Sequence, residues 1–319
     1  MNPRTLGRVR RAGLLGLAML WAGWTPAHGQ AERELSLREI APGVHVHVGA
    51  VDEWGVASGG DVANLGIVIG ERCVAVIDTG GTAAIGQALK AAVRRLTALP
   101  VCYLINTHAH PDHVLGNEAF VDPSGKGPQV VGHHRLPAAL QVRGPFYLKA
   151  LIRDFGPDQS SARIVPPSLL VTSSLELDLG ERRLRLQAWP TAHTDADLSV
   201  LDVQSGTLFL GDLLFRDHTP VVDGRLRGWL AVTAQLRTEA APLTVPGHGQ
   251  PTTEGAAALQ VQQRYLETLQ ADVRAALKAG WTLSQTVQRT PPSSGPWQLL
   301  DAFHARNVTA AYAELEWED

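Results

Sequence analysis

THAHPDH, residues 107–113, holds three histidines and an aspartate within six positions: His108, His110, Asp112 and His113. Just before it runs VCYLIN (101–106), an apolar stretch of β-formers that reads as a buried strand. Pro111 turns the chain sharply, so the four side chains fall on a loop at the C-terminal end of that strand. His108 and His110 point to one place, and Asp112 and His113 swing to a neighbouring one. Imidazole and carboxylate suit zinc, with iron or manganese also compatible, and the split suits two adjacent ions.

Other candidate ligands also follow β-runs. His193 comes after the strand in RRLRLQAWP (182–190). Asp212 closes TLFLGD (207–212), and His248 lies in LTVPGHG (243–249). One group is then His108, His110 and His193, the other Asp112, His113 and His248, with Asp212 between them. A bridging carboxylate can hold two ions about 3.5–4 Å apart, a spacing that suits a shared hydroxide. Asp78 ends the strand CVAVID (73–78) at the same edge and is expected to orient the site from behind.

Outward from this centre, SLREIAPGVHVHVGA (36–50) reads as two short strands around Pro42-Gly43, with His45 and His47 as solvated positions of an edge strand. DEWGVASGGD (52–61) is a Gly-rich connection near whose tip Trp54 either folds back on the sheet or covers bound substrate. VANLGIVIG (62–70) is a further buried strand, and Ala83–Leu96 an amphipathic helix. QVVGHH (129–134) is a strand; His133 at its end either is a helix-capping or solvent residue or supports the site. Residues 135–156 read as helix with a Gly-Pro break, and 157–168 as an irregular connector. A second half begins with the strand LLVT (169–172) and continues through LSVLDV (198–203). From Thr252 the pattern turns helical, over 255–280, about 282–288 and about 306–316, with His304 and Asn307 as packing or capping residues. Arg216 and His218, in the loop after Asp212, and Trp54 are the candidates to face substrate.

With 319 residues, 45% of them hydrophobic and 18% charged, the chain can bury a large core. It has no charge run or basic stripe, which argues against a nucleic-acid partner. Residues 1–29 combine Arg4, Arg8, Arg10 and Arg11 with the apolar run Ala12–Trp24 and a small-residue zone, the pattern of a secretory signal peptide. Its removal takes the formal net charge from −3 to −7 and leaves no expected membrane insertion. The expected division is this leader, a catalytic domain over 30–251 and a helical extension over 252–319. Cys73 and Cys102 open two strands that should be parallel neighbours, leaving either a disulfide or two buried thiols.

HxHxDH after a strand, a lone histidine, GD after a strand and then GHG resemble the metallo-β-lactamase superfamily. The resemblance covers about residues 36–250 and implies an αββα four-layer sandwich with a site for two zinc ions between the sheets. It implies Asp112 as a ligand and hydrogen-bond acceptor for the attacking hydroxide, and Asp212 as a bridging ligand. An aspartate at this last position is a feature of glyoxalase II-like thioesterases. VANLG, VIDTGG, INTHAHPDHVLGN, GDLLF and DGRLRGWLA are similar to the secreted quinoprotein relay system zinc metallohydrolases. That likeness implies a periplasmic location, a small-molecule substrate and association with a quinoprotein dehydrogenase system. The expected reaction is thioester or related ester cleavage, with β-lactam amide or lactone hydrolysis as the alternative. A mono-iron persulfide oxygenase would not need Asp112, His113 and His248 together. A purely non-catalytic partner of the dehydrogenase would have little use for seven ligands.

Overall fold

The sheet nearest the N-terminus begins with an antiparallel meander and finishes parallel. Its strands are β1 (Arg38–Ala41), β2 (Val44–His47), β3 (Leu65–Ile69), β4 (Val74–Ile77), β5 (Val101–Ile105), β6 (Gln129–His133) and β7 (Leu169–Val171), in that spatial order. β1 to β4 pair antiparallel, and β4 to β7 parallel. The second sheet has the order β12-β11-β10-β9-β8. It comprises β8 (Ser174–Asp178), β9 (Arg183–Ala188), β10 (Leu198–Asp202), β11 (Thr207–Phe215) and β12 (Leu243–His248). The helices are α1 (Ala83–Leu96), a single turn α2 (Pro111–Val114), α3 (Leu136–Phe155), α4 (Leu226–Leu236), α5 (Gly255–Lys278), α6 (Leu283–Arg289) and α7 (Leu300–Leu315). This computed structural model describes residues 34–122, 124–239, 241–292 and 295–318. The signal peptide expected over 1–29 lies outside them. Among the described residues no helix is long and apolar enough to cross a membrane.

Strand alternation assigns each face its layer. In β4, Ala75 and Ile77 enter the core between the sheets, beside Leu184, Leu186, Val200 and Phe209 of the second sheet. Val74 and Val76 turn outward onto Ile85, Leu89 and Val93 of α1. Burial on both faces explains why CVAVI reads as continuous apolar sequence. On the far side, Leu208, Leu210 and Leu214 of β11 meet Trp229 of α4, Leu266 of α5 and Val308 of α7. The result is the expected αββα sandwich with helices added at the C-terminal end.

Several expectations are corrected. LLVT does not open the second half: as β7 it pairs parallel with β6, the return strand of a crossover through α3. The second sheet starts instead at β8, whose SLELD exposes Ser174, Glu176 and Asp178 and so lacks an apolar signature. The Gly-Pro break does not occur, because Pro145 withholds only its own N–H and α3 runs on for 20 residues. Asp212 does not end its strand; β11 continues to Phe215 through a register shift at Gly211 (φ 57°). His47 is not solvated: β2 is the second strand, and the ring is buried, Nε2 2.7 Å from Asp61 Oδ1 and Nδ1 3.0 Å from Ser36 O. The last helix begins at Leu300 rather than near 306. The open question of the cysteines resolves as a Cys73–Cys102 disulfide between neighbouring β4 and β5, with Cα atoms 5.8 Å apart.

Candidate metal centre

β5 ends at Ile105, and the loop that follows is held from behind by Asp78, which leaves the end of β4 at φ 56°. Asp78 Oδ1 accepts from Thr107 N (2.8 Å), and Oδ2 accepts from Thr107 Oγ1 (2.7 Å) and from His113 Nδ1 (2.8 Å). The carboxylate thereby fixes the His113 tautomer and aims Nε2 into the site. The same device repeats. His193 Nδ1 donates to Val221 O (2.8 Å), His248 Nδ1 to Val62 O (2.9 Å) and His108 Nδ1 to Thr107 Oγ1 (3.0 Å). His110 is reversed: Nε2 faces Asp223 Oδ2 at 2.9 Å, and Nδ1 points inward.

Five inward nitrogens, from loops of both sheets, surround Asp112 and Asp212. Donor atoms of His108, His110, His193 and Asp212 lie within 4.8 Å of one another, and so do those of Asp112, His113 and His248. Asp212 Oδ2 is 3.6 Å from His108 Nε2, 3.4 Å from His193 Nε2 and 3.5 Å from His248 Nε2, while Oδ1 is 3.3 Å from His113 Nε2. Asp112 Oδ2 lies 3.4 Å from His113 Nε2 and 3.3 Å from His248 Nε2. These gaps are long for hydrogen bonds. They match donor atoms arranged tetrahedrally about an ion at roughly 2.0–2.2 Å, which fall about 3.3–3.5 Å apart.

Buried atoms without partners carry the same message. His108 Nε2, His113 Nε2 and Asp212 Oδ1 are buried and, among the described residues, have no hydrogen-bond partner. His193 Nε2 and His110 Nδ1 face each other at 3.1 Å although each ring has its proton engaged on the opposite side. Two acceptor nitrogens so placed fit a cation between them, and leaving such atoms unsatisfied would be costly. The residues present therefore fit a pair of divalent metal ions.

Electrostatics agree. Burial would push the carboxyls of Asp112 and Asp212 up, but His113 and His248 beside them hold both well below the usual carboxylate range. Burial pushes the His193 imidazole down to about 3 and His108 well below its ordinary value. Against the same burial, Asp212 and Asp112 raise His113 well above it and His248 to about 9.

The centre opens into a cavity of about 310 Å³. Trp54 both folds back, Nε1 donating to Gly81 O (3.0 Å), and lines the cavity, with its ring 5.4 Å from that of Phe155. His218 lines it too, buried against Phe215 and the His248 ring. Arg216 does not: its guanidinium donates to Gln250 O and Pro251 O, and its side chain lies away from the cavity. His133 is buried at the end of β6, where Nδ1 accepts from Arg135 N (3.1 Å); it neither lines the cavity nor caps the first turn of α3. Sequence reasoning missed Asp223, Arg143, Tyr147, Phe303 and Arg306, all of which line the cavity. Asp223 sits in the quoted DGRLRGWLA stretch. Arg143 with Tyr147, and Phe303 with Arg306, are single-turn pairs on helices, and nothing local marks those turns.

Comparison with known proteins shows the same fold. The solved structures it resembles include the stereoselective inverting sec-alkylsulfatase Pisa1 from Pseudomonas sp. (18% identity, TM-score 0.65), over 89% of this chain but 51% of that one, so the chain spans about half that enzyme's length. A β-lactamase domain protein from Burkholderia ambifaria matches at 18% identity and TM-score 0.63, over 88% of this chain and 87% of its own. A metallo-β-lactamase family protein from Thermus thermophilus matches at 23% identity and TM-score 0.60, over 88% and 94%. No curated protein matches. The family model of the metallo-β-lactamase superfamily matches residues 58–274, and the chain, with the motifs, the sandwich and the facing ligand groups just described, belongs to that superfamily.

Proposed function

We propose that this protein is an exported hydrolase using two divalent ions, zinc foremost, to cleave a thioester or related ester of a small molecule. The observation that carries the reading is Asp212, whose two oxygens face the histidines of both groups at 3.3–3.6 Å. One carboxylate so placed can bridge two ions. His108, His110 and His193 would hold one, Asp112, His113 and His248 the other. When bound, such ions act as Lewis acids, bringing water's pKa towards neutrality and polarising the scissile carbonyl.

The chain's own residues do the rest. Asp112, held ionised, accepts a hydrogen bond from the attacking water and orients it. Asp78 and the Val62 and Val221 carbonyls keep three imidazoles turned inward, so the donor set needs no rearrangement. Trp54, Phe215 and Phe303 give the cavity apolar walls that exclude water around a bound acyl group.

The preference for thioesters rests on the aspartate at 212 and the likeness to glyoxalase II-like and quinoprotein relay system metallohydrolases. Export is supported by the basic and apolar pattern of residues 1–29 and by the Cys73–Cys102 disulfide, which suits an oxidising compartment. Association with a periplasmic quinoprotein dehydrogenase is part of the same proposal. The test is a hydrolysis screen of zinc-loaded protein on acyl thioesters, lactones, nitrocefin and a secondary alkyl sulfate. Thioester cleavage fastest among these is expected. Nitrocefin or sulfate turnover without thioester cleavage would overturn the substrate assignment.

A further inference from the structure

On this reading of the site as an acyl hydrolase, we propose that the substrate carries an anionic group, a carboxylate or sulfonate, recognised by Arg306 of α7 and by the Tyr147 hydroxyl of α3 in the wall of the same cavity. Besides Asp112, Asp212 and the histidines, the charged side chains facing the cavity are Asp52, Glu53, Arg143 and Arg306, with Asp223 paired to Arg143. Arg143 is engaged, because its Nη1 donates to Asp223, which also holds His110. Arg306 is not engaged. Among the described residues it makes no hydrogen bond or ion pair, and its guanidinium lies 5.5 Å over the Phe303 ring. A guanidinium stacked on an aromatic face keeps its edge free for a planar anion.

Tyr147 supplies an independent observation. Its hydroxyl oxygen is buried in the cavity wall and, among the described residues, has no hydrogen-bond partner in reach at good geometry. Burial pushes the phenol up to about 12, and the nearby Arg143 guanidinium can only donate, so at any working pH the phenol is a donor without an acceptor. A buried donor left unsatisfied in the free protein is one that a ligand oxygen can satisfy. Asp52 and Glu53, on the connection that carries Trp54, line the same cavity and would repel an anion from their own part of its wall.

The helix turn that carries Arg306 is anchored, although it lies on the last helix. Asn307 beside it donates to Pro220 O (2.6 Å) and Tyr265 Oη (2.8 Å) and accepts from Val222 N (2.9 Å). Glu314 accepts from Leu226 N (2.6 Å). These bonds clamp α7 to the loop bearing Val221 and Asp223, the loop that orients His193 and His110. The backbone that carries Arg306 is thereby tied to the loop that orients the candidate metal-binding histidines.

The test compares two thioesters of equal acyl length, butanoyl and succinyl, on zinc-loaded wild type, Arg306→Gln, Arg306→Lys and Tyr147→Phe. Calorimetric titration of succinate into each protein runs alongside. The wild type should prefer the succinyl ester by about tenfold or more in kcat/KM, chiefly through KM. Arg306→Gln should remove most of that ratio, Arg306→Lys part of it, and Tyr147→Phe several-fold of it. No preference in the wild type, or an equal loss for both esters in Arg306→Gln, would overturn the proposal. Should neither ester be cleaved, the hydrolase reading fails and succinate binding decides: saturable binding weakened about tenfold by Arg306→Gln upholds the anion site, and unchanged or absent binding refutes it.

Discussion

Asp112 and Asp223 act on the same imidazole cluster from different distances. Asp112 combines a candidate ligand position with a place to accept a hydrogen bond from the attacking water. Asp112→Asn should therefore lower turnover by roughly 10²–10⁴-fold and loosen the ion held with His113 and His248, read from steady-state kinetics and metal content. A variant keeping full rate and full metal would contradict that role. Asp223 touches no inward-facing donor atom; it holds His110 through Nε2 at 2.9 Å and is itself held by Arg143. Asp223→Ala should weaken zinc affinity about 10–100-fold at the three-histidine group without abolishing the fold, measured by competition with a chelator. The cluster of candidate histidine ligands was legible because imidazoles spaced HxHxDH have few other uses. Asp223 was not, since one aspartate in a loop carries no local pattern and its role exists only where α3 and the loop before α4 meet.

At the scale of elements, the end of β12 shows why glycine is required beside a candidate ligand. A Cβ on Gly247 would stand 1.7 Å from Asp212 Oδ1 and 2.3 Å from the Gly211 backbone. Gly247→Ala should displace the Asp212 carboxylate, cutting bound metal and activity together by at least about tenfold, with metal analysis as the check. The Cys73–Cys102 bridge ties the starts of β4 and β5, at the end of those strands away from the histidine loop, across a separation of 29 residues. Closing a loop of that length in the unfolded chain stabilises the fold by roughly 3–4 kcal/mol and leaves the ligand loop untouched. Strands flanked by apolar runs were legible from period and composition. β8 and the continuation of β11 were not: β8 is a half-polar edge, and the bulge at Gly211 is set by close approach to Thr107, a tertiary contact.

For the whole molecule, both sheets and the last helix share one edge, and buried histidines there make stability depend on pH. His133 is buried, and its imidazole is pushed down to about 4, chiefly by burial. The unfolded chain, with an ordinary imidazole near pH 6.5, takes up a proton first as pH falls. The stability His133 contributes is thus complete above about pH 6.5 and lost as pH drops towards 4, by roughly 1–2 kcal/mol once solvent screening is allowed for. His133→Asn should flatten the urea-unfolding free energy over that window relative to wild type; an unchanged slope would contradict the assignment. The sandwich itself was legible because two runs of strands, each with ligands at their ends, leave few other packings. The dependence of the cavity on α7 was hidden, because Phe303, Arg306 and Asn307 look like ordinary helix residues until Asn307 is seen bonded to Pro220 and Val222.

The most direct measurement is the metal content of the purified protein by native mass spectrometry, for wild type and Asp212→Ala. Convergence of loops from both sheets on Asp212 predicts about two divalent ions per chain in the wild type and about one or fewer in the variant. A wild type that takes up no transition metal, or a variant that still holds both ions, would contradict the account.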